Sequence, residues 1–348
     1  MINKILAFVQ KNLMWLIIVS ISSGLMLVYF TGGIAFTPFL CLAAALLMIY
    51  PSLVPLDFSK VAEVNKHKRI IIISLIINFV ISPLLAVLIG WLFLSQSPGL
   101  WLGLILLSIL PGGGMVTTWA YKSKADMPLT VGIVFANLIA AIVLAPFYLA
   151  IAMNKLTMLI TQQAGGSCAV SKATGGVLDC LFSSGGSISA LMIIVPIFFI
   201  IVIPLLLAYF TQYFYLKKVG QEKFNRIKSK FAAFSNLGML VVLVLLMSIK
   251  ENKIIFSRPD IIPKAVLVLI IFYVISLGLA WKLGKTVGGE KGRALVWGTY
   301  LRYITLALGL AISLVYQDAA YSLVIIIVVL AYLIQIPSSF WLVNKFNK

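Results

Sequence analysis

Apolar runs of about 20 residues recur along the whole chain, and a helix of roughly that length crosses the ~30 Å of hydrocarbon in a bilayer. A sequence that is 62% hydrophobic and 10% charged, with a mean hydropathy of +1.12, cannot hide that surface in one water-soluble core. Lipid is the solvent this pattern requires. Spans are expected near residues 13–30, 34–56, 70–94, 100–121, 127–153, 187–212, 231–249, 264–281, 294–316 and 322–343. The expectation is an all-α polytopic membrane protein of ten transmembrane helices. Residues 1–153 hold spans one to five and residues 187–348 hold spans six to ten. The Gly- and Ser-rich stretch 154–186 between them reads as an extracytoplasmic loop, either a linker or a cap over the outer mouth.

The net charge of +18 raises the possibility of a nucleic-acid partner, but its distribution argues otherwise. Twenty of the 27 basic residues fall in alternate loops and at the two termini, and six fall in the opposite loops. The excess marks the cytoplasmic side. Both termini are therefore expected in the cytoplasm of a bacterial inner membrane, with anionic lipid as the partner of the basic loops. The run after Lys11 leads into another span rather than a small-residue cleavage site, so it reads as a permanent helix. Cys41 falls in span two as a packing residue, whereas Cys168 and Cys180 share the outer loop and either pair as a disulfide or stay free. The single His67 sits in a basic loop, and no cluster of His, Cys, Asp or Glu is spaced for a metal or a nucleophilic triad. No enzyme activity is expected.

The second half repeats the first. Ile76–Ala86, four residues before Gly90, aligns with Ile270–Ala280, four before Gly284. Span three thus resembles span eight, and an offset of five spans inverts the second copy, an arrangement found in secondary transporters. Twenty-one residues after Gly90 comes Pro111-Gly112-Gly113-Gly114 in span four, and the same step after Gly284 lands on Thr305 in span nine. At 1.5 Å per residue both positions lie roughly 15–18 Å from their helix starts, near the bilayer midplane.

Pro111 removes a backbone donor and the three glycines leave the backbone unshielded, so span four is expected to break there. The alternative is a glycine face for close helix packing. In lipid, the freed carbonyl and amide groups must be buried in protein or line a cavity. Thr117, Thr118, Thr130 and Asn137 follow, each either bonding its own helix or joining a site. In span nine the matching feature is Thr299-Tyr300-Leu301-Arg302-Tyr303-Ile304-Thr305. Arg302 is the one charge placed deep in a span, and it either snorkels to the interface or stands as a fixed positive charge for an anionic substrate. All nine acidic residues fall in loops or at helix ends, so any bound cation must be held by neutral oxygens.

Asp57-Phe58, Lys66 to Arg69, Asn78-Phe79 with Pro83, Gly103-Leu104-Ile105-Leu106 before Pro111-Gly112-Gly113, Ala125-Asp126, Leu129-Thr130 and Pro146 together resemble the bile acid/sodium symporter superfamily, which includes the arsenite permeases. The resemblance is strongest over 57–150. It implies two inverted five-helix repeats and a core of spans three to five and eight to ten. A panel of spans one, two, six and seven would pack on that core, with broken spans four and nine crossing at the site. Substrate contacts are expected from Pro111, Gly112, Gly113, Gly114, Thr117, Thr118, Asn137, Arg302, Tyr303 and Thr305. Sodium is the one cofactor left open, with Asn78, Thr117, Thr130 and Thr299 as its candidate ligands. Where sodium-using members carry a Ser-Asn pair this chain has Val116 and Thr117, and where arsenite permeases carry a reactive cysteine it has Gly112. The expected activity is alternating-access transport of a small organic anion. The alternatives are arsenite-type efflux and a channel-like or sensory role.

Overall fold

In lipid a helix satisfies its backbone polar groups within its own segment, and every long element described is helical. The computed structural model describes residues 6, 8–9, 12–34, 46, 48–55, 67–163, 190–317 and 322–348. In chain order the longer helices are α1 (Leu13–Thr31), α2 (Lys68–Ile76), α3 (Ser82–Phe93), α4 (Pro98–Ser108), α5 (Gly114–Lys122), α6 (Met127–Gln163), α7 (Ala190–Val219), α8 (Gln221–Met247), α9 (Ile261–Val287), α10 (Gly289–Tyr300), α11 (Ile304–Gln317) and α12 (Ser322–Asn347). A π turn, Ile77–Ile81, joins α2 to α3 into one rod. Among the described residues no strand forms, and the two isolated bridges pair Ile34 with Ile249 and Pro111 with Arg302.

Five of these helices are long and apolar enough to cross a membrane: Leu13–Thr31, Lys68–Phe93, Met127–Met153, Ile261–Val287 and Leu323–Asn347. The chain is an integral membrane protein. Several helices outrun the spans expected for them. The eighth span begins at Ile261 and ends at Val287, the fifth continues to Gln163 into the expected loop, and the seventh starts at Gln221. Hydropathy marks only the lipid-immersed part of a helix, whereas backbone hydrogen bonding carries it on into the polar zone. Span two is described only at 34, 46 and 48–55, and Cys41, Cys168, Cys180 and the stretch 164–189 lie outside the described residues.

Burial sorts the helices into two kinds. The outer faces of α3, α6 and α9 expose apolar side chains such as Leu84, Leu88, Val143, Phe147, Leu267 and Val274, as a lipid-facing surface requires. By contrast α4 is buried from Gly99 to Ser108 and α10 from Ala294 to Tyr300. Each short interrupted segment thus runs through protein. In hydrocarbon one apolar side chain gains little by leaving lipid for another, so close packing through small residues must hold helices together. Gly24 serves α1 in this way, since a Cβ there would lie 2.5 Å from the Met247 Cβ of α8. Gly103 does the same for α4 against Ile327 of α12.

The π turn has a chemical cause. Pro83 has no N–H, so the Phe79 carbonyl lacks its donor four residues on. The ladder shifts register there, with the Ser82 N–H reaching the Ile77 carbonyl, and the Tyr148 hydroxyl of α6 donates to the Phe79 carbonyl instead. This turn carries Asn78, a fully buried amide.

Candidate functional site

Span four stops at Ser108 and restarts at Gly114; span nine stops at Tyr300 and restarts at Ile304. The two gaps meet. Pro111 pairs with Arg302 in antiparallel extended backbone, and the Tyr303 N–H donates to the Leu110 carbonyl at 3.1 Å. The expected break in span four is therefore present, and the packing role of its glycines accompanies it. A Cβ on Gly113 would fall 2.4 Å from the Tyr303 ring, and one on Gly114 would fall 2.0 Å from the Ser52 carbonyl oxygen. In span nine the position matched to Pro111 by the repeat was Thr305, but the extended residues are Leu301 to Tyr303 and Thr305 already lies in α11. The register differs by three residues because Leu110 and Gln335, rather than any local breaker, hold this gap open.

Arg302 is 2% exposed, which excludes snorkelling to an interface. Its guanidinium donates to Asn78 Oδ1 at 3.2 Å, the Ser108 carbonyl at 3.0 Å, Ser82 Oγ at 2.6 Å and the Thr299 carbonyl at 3.0 Å. The Phe272 ring covers it, 5.6 Å from the ring centre. Among the described residues no carboxylate pairs with it. Ser108 closes α4 and Thr299 lies in the last turn of α10, so two helix C-termini, each carrying roughly half a negative charge, point at this cation. The opposite ends of the gaps are the N-termini of α5 and α11, which carry the complementary positive character.

The backbone of Arg302 is held as firmly. Gln335 of α12 accepts from the Arg302 N–H at 2.8 Å and donates to the Arg302 carbonyl at 3.1 Å, while Tyr273 donates to the same Gln335 oxygen at 2.9 Å. Gln335 was not among the expected site residues. Its signal in the sequence is a lone amide in the apolar run of span ten, two residues before Pro337.

The expected site residues divide into groups. Asn137 and Asn78 lie together, both donating to Ser74 Oγ and to the Gly298 carbonyl. Gly112, Gly113, Tyr303 and Thr305 line a cavity of about 10 Å³ at the crossing, with Tyr332 and Gln335. That is space for about one water, so the crossing is closed. The Tyr303 hydroxyl bonds to Ser52 Oγ of span two. Thr118 faces outward, away from the crossing. The hydroxyls of Thr117, Thr130 and Thr299 donate to carbonyls of Gly114, Asp126 and Leu295, within or just before their own helices. The oxygen of Asn78, one of the four candidate sodium ligands, is taken by Arg302.

Three basic segments meet at one end of the molecule. Arg293 donates to the carbonyls of Ser123 and Lys124, and Asn347 donates to that of Lys122. The α5–α6 connection at 122–126, the α9–α10 corner at 285–293 and the C-terminal residues thus share a side, as the charge distribution requires.

Long apolar helices around two interrupted segments with buried backbone define a polytopic membrane protein. The profile of the Sodium Bile acid symporter family matches residues 42–257, and this chain belongs to that family. It is 26% identical over 234 residues to the Arsenical-resistance protein Acr3 of Corynebacterium glutamicum, an alignment covering 66% of this chain and 57% of that protein. It is 24% identical over 320 residues to the Acr3 of Alkaliphilus metalliredigens, covering 87% of this chain and 79% of the relative. An uncharacterized transporter of Synechocystis is 23% identical over 293 residues, covering 78% and 62% respectively. The chain thus spans little more than half the length of the Corynebacterium relative.

Proposed function

We propose that this protein is a secondary carrier that moves a small organic anion by alternating access, with the crossing of spans four and nine as its central site. The observation that carries this reading is the meeting of two broken helices at Pro111 and Arg302 beside a buried guanidinium with no carboxylate partner among the described residues. An anion approaching the crossing meets the N-termini of α5 and α11. Tyr303, Thr305 and the glycines 112–114 are the groups nearest to it.

The same reading takes the fold as ten spans in two inverted halves, with both termini in the cytoplasm of a bacterial inner membrane. Two close approaches support the repeat. Gly90 lets α3 approach Trp101 of α4, and Gly284, its counterpart, lets α9 approach Gly292 and Val296 of α10. Asn78 and Phe272, also counterparts, flank the same guanidinium. Packing sets α1 and α8 apart as one closely packed pair, whereas α7 lies against α6 and α11 as well as α8.

Efflux of an arsenical is the second reading, favoured by the names of two relatives. No cysteine stands at 111–114 or 299–305 to bind it through sulfur. Counterflow in proteoliposomes preloaded with carboxylates, oxyanions or arsenite separates these readings. Exchange accelerated by a carboxylate or oxyanion is the expected result. Exchange with arsenite alone, together with arsenite protection of a sensitive host, would establish the second reading, and an absence of counterflow for every solute would end the carrier reading.

A further inference from the structure

The family name implies sodium, and the residues here do not fit it: Asn78, one of the candidate ligands, gives its oxygen to Arg302, and the other oxygens that converge with it at the crossing close on the same guanidinium. We infer that the Arg302 guanidinium is a tethered cation filling an oxygen cage at the crossing, so that this carrier works without a coupling sodium ion. The inference rests on the carrier reading and concerns the energy source of that same site.

The cage has the chemistry of a monovalent cation site. Its four acceptors are neutral oxygens, two carbonyls and two side chains, and they come from four different segments: the π turn, α3, the end of α4 and the end of α10. Two converging helix C-termini supply about one negative charge between them, which balances one positive charge without a carboxylate. A diffusible ion binding there would have to lose its hydration and its translational freedom. The guanidinium, attached to the backbone of the gap itself and clamped by Gln335, is already in place. A sodium ion brought to the same cage would be within a few ångströms of a fixed like charge, and at the low effective dielectric of the interior that repulsion opposes its entry. The cage therefore has one occupant, and it cannot leave with the substrate.

Removing the guanidinium reverses the situation. Arg302→Ala leaves four inward-facing oxygens, two helix C-termini and a cavity the size of a side chain, which is a vacant site for a small cation. Thermal unfolding of the full chain in detergent, titrated with sodium chloride against choline chloride at constant ionic strength, reads this directly. The wild type is expected to unfold at the same temperature in both salts. Arg302→Ala is expected to unfold several degrees lower in choline and to recover saturably with sodium or with guanidinium chloride at millimolar concentration. Arg302→Lys, which keeps a charge in the cage, is expected to show no sodium response. A saturable stabilisation of the wild type by sodium would overturn the inference, as would a folded Arg302→Ala that no cation stabilises. Should Arg302→Ala not fold, Arg302→Gln takes its place, and the wild-type titration decides on its own. The readout needs no transported solute, so a sodium response would remove sodium independence and leave the carrier reading standing. Failed counterflow without a sodium response would remove the carrier reading alone.

Discussion

Gln335 holds both polar backbone groups of Arg302, its Oε1 accepting from the N–H at 2.8 Å and its Nε2 donating to the carbonyl at 3.1 Å. A side-chain amide thus takes the place of the helical neighbours that the Arg302 peptide lost when span nine opened. Gln335→Leu leaves a buried N–H, a buried carbonyl and the Tyr273 hydroxyl without these partners, and each such group costs about 1–3 kcal/mol. Unfolding several degrees below the wild type is expected in detergent, with substrate exchange lost. Gln335→Glu, which can still accept from the Arg302 N–H and from Tyr273, should recover part of the stability. Equal melting temperatures for Gln335→Leu and wild type would contradict this account.

Tyr148 and Pro83 form a second coupled pair. Because Pro83 cannot donate to the Phe79 carbonyl, Tyr148→Phe leaves that carbonyl without a donor and is expected to cost about 1–3 kcal/mol. In a Pro83→Ala background the new N–H supplies the missing bond, so the same change should cost much less. The double-mutant cycle, measured by thermal or chemical unfolding, is expected to give a coupling of about 1 kcal/mol or more. Strict additivity would mean that the π turn has another cause.

Two glycines on long apolar rods, Gly90 and Gly278, should respond oppositely to the same change. A Cβ on Gly90 would lie 2.0 Å from the Trp101 ring, so Gly90→Ala must separate α3 from α4 and is expected to destabilise by about 1–3 kcal/mol. Gly278 has nothing within 4 Å of the added atom. There the gain in helix propensity, about 0.5–1 kcal/mol at most, should leave stability unchanged or slightly raised. Melting curves of the two variants check the pair.

Asp260, just before α9, predicts a small pH dependence. Its hydrogen bond from Lys264, at 2.7 Å, and the nearby Arg258 hold its carboxyl below the ordinary value of 3.8. A carboxyl depressed by folding stabilises the folded state at pH above its unfolded value, and that contribution disappears as pH falls through the folded value. The wild type should therefore lose stability on acidification below about pH 4 more steeply than Asp260→Asn. The pair is exposed, so the difference is expected to be slight and to shrink at high salt. Melting temperatures of both proteins across this pH range, at low and high ionic strength, test it.

The sequence by itself determined the solvent, the helical class and the break in span four. Apolar length is a one-dimensional property, and the backbone effects of Pro111 and the glycines after it act within a turn. It also determined that Arg302 is deep, because depth follows from counting residues along a helix. Only the tertiary structure decided where span nine opens. Leu301, Arg302 and Tyr303 include no proline or glycine, and their extended backbone is held by Leu110 and Gln335, which lie far from them in the chain. The direction of the guanidinium was decided the same way: a long flexible side chain turns toward whichever acceptors the packed helices present, and here those are Asn78, Ser82, Ser108 and Thr299.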